Sequence, residues 1–212
     1  MNQLTSKFVF QLRFWFLFIC LNFNLSTNAQ TFINFESGAL FTGINDIRNG
    51  NNGTLFSLKN DFSTSVSPFL RLRAGFLING EHYFSFLYAP LKIIESVIRE
   101  KNLLFDEKDF KANLPIEVVY KFNSYRFTYN RRIIIKDNFK FGLGLSAKIR
   151  DAGVSLKNKE LLSENFSIGF VPLVNLLANY DLSQKMGIDF FGEGIIASKG
   201  RAIDISLSGR YI

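Results

Sequence analysis

Apolar residues alternate with small, polar or charged residues in segment after segment of this chain. In FKFGLGLSAKIR, residues 139–150, six apolar residues alternate with glycine, serine, lysine and arginine. The same pattern recurs in FINFESGALFTG (32–43), FLRLRAGFLI (69–78) and AIDISLSGRYI (202–212). Because strand side chains point alternately to the two faces of a sheet, a period of two predicts β-strands with one apolar face.

Polar turns and loops separate these segments. The short turns are residues 79–80, 136–138 and 182–185. The longer connections are 44–53, 91–113 and 157–164, with 199–201 as a short fourth on the same side. In bacterial barrels the short turns face the periplasm and the long loops face outside. This rule predicts eight strands at about 31–43, 65–79, 81–90, 114–135, 139–156, 166–180, 186–198 and 202–212. Residues 54–64 are expected to continue the second strand outside the membrane, whereas a separate hairpin there would raise the number of strands to ten.

Two positions interrupt the alternation. In YKFNSYRFTYNRR, residues 120–132, the aromatic residues before Asn123-Ser124 share one face and those after it share the other. Such a slip marks either a hairpin or an extra residue bulged out of a continuous strand. A bulge keeps every short turn on the periplasmic side, so we predict one long strand over 114–135. Pro172 lacks a backbone donor and predicts a second bulge or a local break.

An antiparallel sheet with one apolar face can belong to a soluble sandwich or to a transmembrane barrel. In a sandwich the apolar face turns inward and the polar face meets water. Two features favour the barrel here. Glycine and serine between charged residues suit a crowded lumen, and aromatic residues gather near strand ends, as interfacial girdles do. We therefore predict an all-β fold, an antiparallel outer-membrane β-barrel of eight strands or of ten.

The first 29 residues have the composition of a secretory signal peptide. Two basic residues precede the apolar run FWFLFICL, and Thr27-Asn28-Ala29 supplies small residues before a cleavage point at Gln30. A helix that spans a bilayer needs about 20 apolar residues, and no later segment offers an uninterrupted run of that kind. We expect a signal peptide over 1–29 and one barrel domain over 30–212, exported to the outer membrane of a Gram-negative bacterium.

Cleavage of that peptide would remove Cys20, the only cysteine, so we expect neither disulfides nor cysteine-bound metals. Residues 1–29 hold two of the 25 basic residues and none of the 18 acidic ones, so the net charge falls from +7 to +5. The basic residues are scattered rather than clustered, which argues against a nucleic-acid partner.

The loop acids Asp106, Glu107 and Asp109 are expected to be solvated rather than to bind calcium. We expect no metal and no cofactor, with outer-membrane lipid as the partner.

The only histidine, His82, follows the Asn79-Gly80 pair, which is a strong signal for a two-residue hairpin. Such a hairpin places Phe86 opposite Arg73 on the inner face and His82 on that face as well. A lipid-modifying barrel enzyme would need a histidine, a serine and a carboxylate within hydrogen-bonding reach. Ser85 lies three residues from His82 and points to the opposite face, so we expect no catalytic site there.

The alternation also predicts a network of charges in the barrel lumen. Eight basic and four acidic residues fall on the inner side of the predicted strands: Arg71, Arg73, Arg126, Arg132, Lys140, Lys148, Arg150, Arg210, Glu36, Asp189, Glu193 and Asp204. Buried charges must pair, because an isolated ion away from water is costly. A salt-bridged plug therefore accounts for most of them. The excess of bases leaves open a site that attracts anions such as phosphate or lipid head groups.

Four segments resemble a group of uncharacterised bacterial outer-membrane β-barrel proteins. The segments YKFNSYRFTYNRR, LGLSAKIRDAGVSL, GFVPLVNL and GRAIDISLSGRYI are similar to the group's phrases YRFNSYRLTYRYRF, GFTAKIRDA, GFVPLLNL and GRAxDVALALRYR. The similarity runs from about Leu87 to the end, and AKIRDA, Ala147 to Ala152, is its most specific part. Arg131 stands where the group tends to have tyrosine, and the chain stops at Ile212 where relatives usually continue through another hairpin. The resemblance implies a barrel without an assigned activity.

These observations predict a non-enzymatic integral outer-membrane protein whose charged, filled lumen scaffolds extracellular loops. An eight-stranded barrel is just filled by its own side chains, so we expect no free conduction. Three other interpretations stay open. A barrel of ten or more strands would favour a small passive pore, and the excess of lumen bases would favour binding of an anion or a lipid head group. A lipid-modifying enzyme is the remaining alternative.

Overall fold

The computed structural model describes residues 28–41, 43, 46–49, 52–57, 66–197 and 200–211. Its strands are β1 (Ala29–Leu40), β2 (Asp46–Ile47), β3 (Phe56–Ser57), β4 (Ser67–Ile78), β5 (His82–Ala89), β6 (Lys92–Ile98), β7 (Leu103–Phe105), β8 (Lys108–Phe110), β9 (Pro115–Ile135), β10 (Phe139–Lys157), β11 (Leu162–Asp181), β12 (Met186–Ala197) and β13 (Gly200–Tyr211). Every pairing among them is antiparallel. The prediction of an all-β antiparallel fold is confirmed. Residues 1–27 of the predicted signal peptide lie outside the described residues.

Nine of the described strands form one sheet. Its order is β1-β4-β5-β9-β10-β11-β12-β13, and β6 pairs with β9 beyond the end of β5. The eight strands of this order coincide with the eight predicted segments to within four residues at each end. The segment 91–113 differs from the prediction, because it contains β6 and the hairpin β7–β8 instead of an unpaired loop. Within the described ranges, no helix is long and apolar enough to cross a membrane.

The sheet curls until strands far apart in its order face each other. Arg126 on β9 contacts Asp204 on β13 at 2.9 Å, although three strands lie between them in the sheet. The guanidinium of Arg73 on β4 lies 5.5 Å from the ring centroid of Phe191 on β12. These contacts define a curled half-barrel with β1 and β13 at its two edges. One end of the half-barrel, which we call the turn end, carries the connections 79–81, 136–138 and 182–185. We call the opposite end the cap end, because two small hairpins, described below, fold over it.

The slip at Asn123-Ser124 is not a bulge. β9 is one continuous strand, and Asn123 and Ser124 pair with Asp151 and Arg150 of β10 without a change of register. The register shifts instead near the turn end, where Ile133 is left over between the pairs Phe141–Ile134 and Gly142–Arg132. The prediction of a continuous strand is thus confirmed, and the predicted position of the bulge is wrong.

The turn after β4 contains one residue more than the sequence suggested. Asn79 and Gly80 have φ angles of 51° and 71°, as a type I′ turn requires, and the amide of Glu81 donates to the carbonyl of Ile78 at 3.0 Å. The strands, however, pair Ile78 with His82, so Glu81 is an additional turn residue. The predicted faces of β5 are therefore wrong, because a shift of one residue exchanges the two faces of a strand.

Pro172 does not break its strand. Ala147 pairs with Pro172 inside a continuous β10–β11 register, which contradicts the predicted bulge or break. On the other side of β11, pairing with β12 begins only at Val174. Pro172 lies beyond that point, so it has no ladder partner in β12 among the described residues. A proline is tolerated there because its missing N–H is not needed for a ladder.

Two small hairpins close over the cap end. The cap, which consists of β2, β3, β7 and β8, packs against the inner face of β9 and β10 there. Their shared apolar core contains Phe56, Leu103, Phe105, Phe110, Ile116, Val118, Val154 and Leu156. The amide of Thr54 donates to the carbonyl of Leu104, and the amide of Leu104 donates to Oγ1 of Thr54, both at 2.9 Å. β3 thus pairs with β2 instead of continuing the strand that became β4, and β2, β7 and β8 form the rest of this apolar unit from segments that were predicted as loops.

The cap explains why the aromatic residues of β9 change faces. Tyr120 and Phe122 point to the inner face, where Tyr120 packs against the cap core. Farther towards the turn end, the inner face of β9 carries Arg126 and Thr128, and the aromatic residues lie on the outer face. The change of face at Asn123-Ser124 marks the level at which the interior changes from apolar to polar.

Candidate functional site

The inner face of the curled sheet holds a central charge cluster made of Arg126, Glu193 and Asp204. Nη1 of Arg126 lies 2.6 Å from Oε1 of Glu193, and Nη2 lies 2.9 Å from Oδ2 of Asp204. The side chains of Arg126 and Glu193 are only 4% and 0% exposed. Removal of one partner from such a buried pair leaves an uncompensated charge, which is strongly destabilising. The cluster therefore ties β9, β12 and β13 together across the interior.

A ladder of neutral polar side chains continues from this cluster towards the turn end. Nδ2 of Asn175 donates to Oγ of Ser146 at 3.0 Å, and Nδ2 of Asn130 donates to Oδ1 of Asn175 at 2.8 Å. The hydroxyls of Thr128 and Ser146 lie 3.2 Å apart. All four side chains are buried. The interior at this level is thus polar and cross-linked by hydrogen bonds, whereas the interior of a soluble sandwich is apolar.

A second group of charges, the turn-end cluster, lies on the inner face at the turn end and consists of Lys140, Asp181, Asp189 and Arg210. Arg210 contacts Asp181 at 2.6 Å and Asp189 at 3.2 Å, and Lys140 contacts Asp181 at 3.2 Å. Arg132 donates to the carbonyl of Gly80 at 3.1 Å. The role of Asp181 was missed from the sequence, although its spacing of two from Asn179, an inner-face residue, was a usable signal.

Arg71 and Arg73 lie on the inner face of β4. Nη1 of Arg71 is 3.9 Å from Oε2 of Glu36 on β1, a long contact between partly exposed side chains. Arg73 packs over Phe191, as described above, rather than over Phe86. Because Glu81 is an additional residue in the turn, Phe86 points outward and is 49% exposed, whereas Leu87 points inward and is 1% exposed.

Lys148 and Arg150 are inner-face cations of a different kind. Nζ of Lys148 lies 5.5 Å from the ring centroid of Phe122, and Arg150 lines a cavity of about 380 Å³ beneath the cap. Asp151, which follows Arg150, points outward and contacts Lys121 at 2.7 Å. The AKIRDA segment thus directs its two cations inward and its carboxylate outward.

His82 lies on the outer face of β5, contrary to the prediction. It pairs with Ile78 and Arg131, and its Nδ1 lies 3.0 Å from the hydroxyl of Tyr129. Ser85 is buried on the inner face. His82 and Ser85 therefore lie on opposite faces of β5, as predicted. His82 is on the outer face and Ser85 on the inner face, however, which is the reverse of the predicted assignment.

The twelve lumen residues that the sequence singled out are thus distributed over several contacts. Eight of them take part in ion pairs, namely Glu36, Arg71, Arg126, Lys140, Asp189, Glu193, Asp204 and Arg210. The other four, Arg73, Arg132, Lys148 and Arg150, contact aromatic rings, carbonyl or amide groups, or line a cavity. The sequence did not indicate the cavity, because its lining comes partly from segments that were predicted as loops. Comparison with protein-family models found no family that matches this chain, and a search of curated proteins found no match.

Proposed function

We propose that this protein is an integral outer-membrane β-barrel, not an enzyme, whose filled lumen supports a folded extracellular cap. The observation that carries the proposal is the polarity of the two faces of the sheet. On the outer face, Leu145 is 65% exposed and Ile205 is 67% exposed, whereas Thr128 on the inner face is 0% exposed. A soluble protein does not expose a continuous apolar surface of this extent unless a partner or a membrane covers it. A lipid bilayer covers such a face on every strand.

The dimensions of the apolar surface support this proposal. On β10 the outward residues are apolar from Phe141 to Ile149, and the next outward residue is Asp151, which is paired with Lys121. This band of nine residues is close to the ~9–11 residues that a tilted transmembrane strand needs. The cap end would then project beyond the membrane.

Closure of the barrel completes the proposal. Arg73 of β4 contacts the ring of Phe191 of β12 across the interior. Only one strand lies outside each of these two in the order of the sheet, β1 next to β4 and β13 next to β12. With eight antiparallel strands in the order of the sheet, β1 and β13 run in opposite directions, so their pairing would close an antiparallel barrel. β6 would then lie above the membrane as a continuation of β5 along β9.

A filled interior argues for a scaffold rather than an open channel. The central charge cluster and the polar ladder occupy the lumen, as expected when eight strands enclose a space that side chains can fill. His82 and Ser85 on opposite faces give no support to a histidine–serine enzyme. Binding of an anion is the second candidate function, and the cavity beneath the cap favours it.

Labelling of single cysteines in whole cells tests this topology. We expect Lys121→Cys to react with a membrane-impermeant maleimide, because Lys121 lies just beyond the apolar band on the cap end. Lys136→Cys, in a turn at the opposite end, should react only after the outer membrane is permeabilised. The mature chain would contain no other cysteine, since Cys20 lies in the predicted signal peptide. Labelling of Lys136→Cys in intact cells would contradict the proposed orientation, and recovery of the protein in the soluble fraction would contradict membrane insertion.

A further inference from the structure

A cavity that is open to solvent lies between the cap and the inner face of the long strands. Its volume is about 380 Å³, within the range of small-molecule sites. The cap contributes residues 46–49 and Phe105, β9 contributes Tyr120 and Phe122, and β10 and β11 contribute Arg150 and Ser167. The cavity therefore exists only because the two hairpins fold over the sheet.

The charge around this cavity is not balanced. The inner-face bases nearer the turn end, such as Arg126, Lys140 and Arg210, contact carboxylates at 2.6 to 3.2 Å. Lys148 and Arg150 have no carboxylate within 4.0 Å among the described residues. Arg48 of the cap also lines the cavity, and the carboxylate in its lining is that of Asp46. A site with two guanidinium groups, one carboxylate and a nearby ammonium group attracts an anion.

Neutral donors accompany these cations. Oδ1 of Asn49 accepts a hydrogen bond from Nδ2 of Asn165 at 2.9 Å. Nδ2 of Asn49 is buried and has no acceptor in the part of the chain that the structure describes. An unsatisfied buried donor is costly, and an anionic oxygen would satisfy it. Phe122 lies between this cavity and a smaller one, because it lines both of them, and the smaller one contains Arg71, Arg126 and Lys148.

We propose that this cavity binds a small soluble organic anion with a phosphate or carboxylate group. Arg150 provides the main contact because guanidinium matches both groups in a bidentate geometry. Arg48 and Asn49 contribute from the cap, Lys148 adds positive potential, and the aromatic wall of Tyr120 and Phe122 contacts the uncharged part of the ligand. This inference deepens the second candidate function. It requires the curled sheet and the folded cap, but it does not require a bilayer.

Calorimetric titration of the purified chain in detergent micelles tests the inference. The probes are glucose 6-phosphate, inorganic phosphate and, as the uncharged counterpart, glucose. We expect saturable binding of glucose 6-phosphate and no binding of glucose. Arg150→Gln should weaken the binding of glucose 6-phosphate at least tenfold, and Arg150→Lys should weaken it less. Lys157→Gln is the matched control, since Lys157 lies on the outer side of the same strand, and it should leave the affinity within twofold of the wild type.

Three results would overturn the inference. These are absence of binding to the wild type, equal weakening by Arg150→Gln and Lys157→Gln, and binding of lipopolysaccharide phosphates without binding of the soluble phosphates. If Arg150→Gln does not fold, Arg48→Gln on the cap replaces it, with the same expected direction and the same control. Failure of membrane insertion in the labelling experiment leaves this titration valid, so the two proposals can fail separately.

Discussion

Replacement of Arg126 by methionine is expected to destabilise the fold by about 3–5 kcal/mol, the range for breaking a buried ion pair from one side. Arg126 lies between the carboxylates of Glu193 and Asp204, at 2.6 and 2.9 Å. Its removal would leave two acidic groups in the interior with no other cation within 4.0 Å among the described residues. Denaturant unfolding in detergent, followed by gel migration of the unboiled sample, measures the loss.

Arg131→Met is the matched control for this substitution. Arg131 lies on the same strand, is exposed on the outer face and has no ion pair among the described contacts, so its replacement should change the unfolding midpoint little. Added salt should not imitate Arg126→Met, because buried pairs are poorly screened. Replacement of all three members of the cluster by apolar residues should recover part of the lost stability, since it removes the unpaired charges. An unchanged midpoint for Arg126→Met would show that the cluster is not buried in the folded protein.

Replacement of Leu145 by arginine is expected to cost about 2–4 kcal/mol in a bilayer, the range for a basic residue at the lipid-facing midplane of a barrel. Leu145 is at the centre of the apolar band of β10. The matched substitution is Ile94→Arg on β6, which changes an outward apolar residue of 55% exposure at the level of the cap. Ile94→Arg should cost little, because that level is proposed to be in water. Refolding into lipid vesicles, followed by denaturant titration, compares the two variants.

The two substitutions give different results for a soluble and a membrane protein. If the outer face met water, Leu145→Arg would place a charge on an exposed surface and would be as harmless as Ile94→Arg. Equal and small effects would therefore contradict insertion of this face into lipid. A large effect of both would indicate that a protein partner, rather than lipid, covers the outer face.

The period of two in the sequence predicted most of the sheet. The strand positions followed from it, because alternation is the direct consequence of strand geometry when the two faces have different surroundings. The faces of β4, β10 and β13 were assigned correctly for the same reason, as Arg73, Lys148 and Asp204 show by their inner contacts. The approach of β9 to β13 was not predictable, since it depends on the curvature of the whole sheet.

The errors in the prediction have local physical causes. The faces of β5 were exchanged because Glu81 adds a residue after the Asn79-Gly80 turn, and the sequence of a type I′ turn does not indicate whether such a residue follows. The bulge was misplaced because β9 carries aromatic residues on both faces. They point outward towards the turn end and inward beneath the cap, and this change of face in a regular strand has the same sequence pattern as a bulge. The cap was missed because its paired segments are only two or three residues long, too short for a periodic signal.

Fluorescence quenching by lipids brominated in their acyl chains tests the central claim most directly, namely that the outer face of the sheet is embedded in a membrane. The only tryptophan is Trp15, within the predicted signal peptide, so the mature chain accepts a single reporter without background. We predict strong quenching of Leu145→Trp in vesicles with bromines near the bilayer centre, and little quenching of Ile94→Trp in the same vesicles. Absence of quenching at Leu145→Trp, in protein that remains folded and bound to the vesicles, would contradict the account.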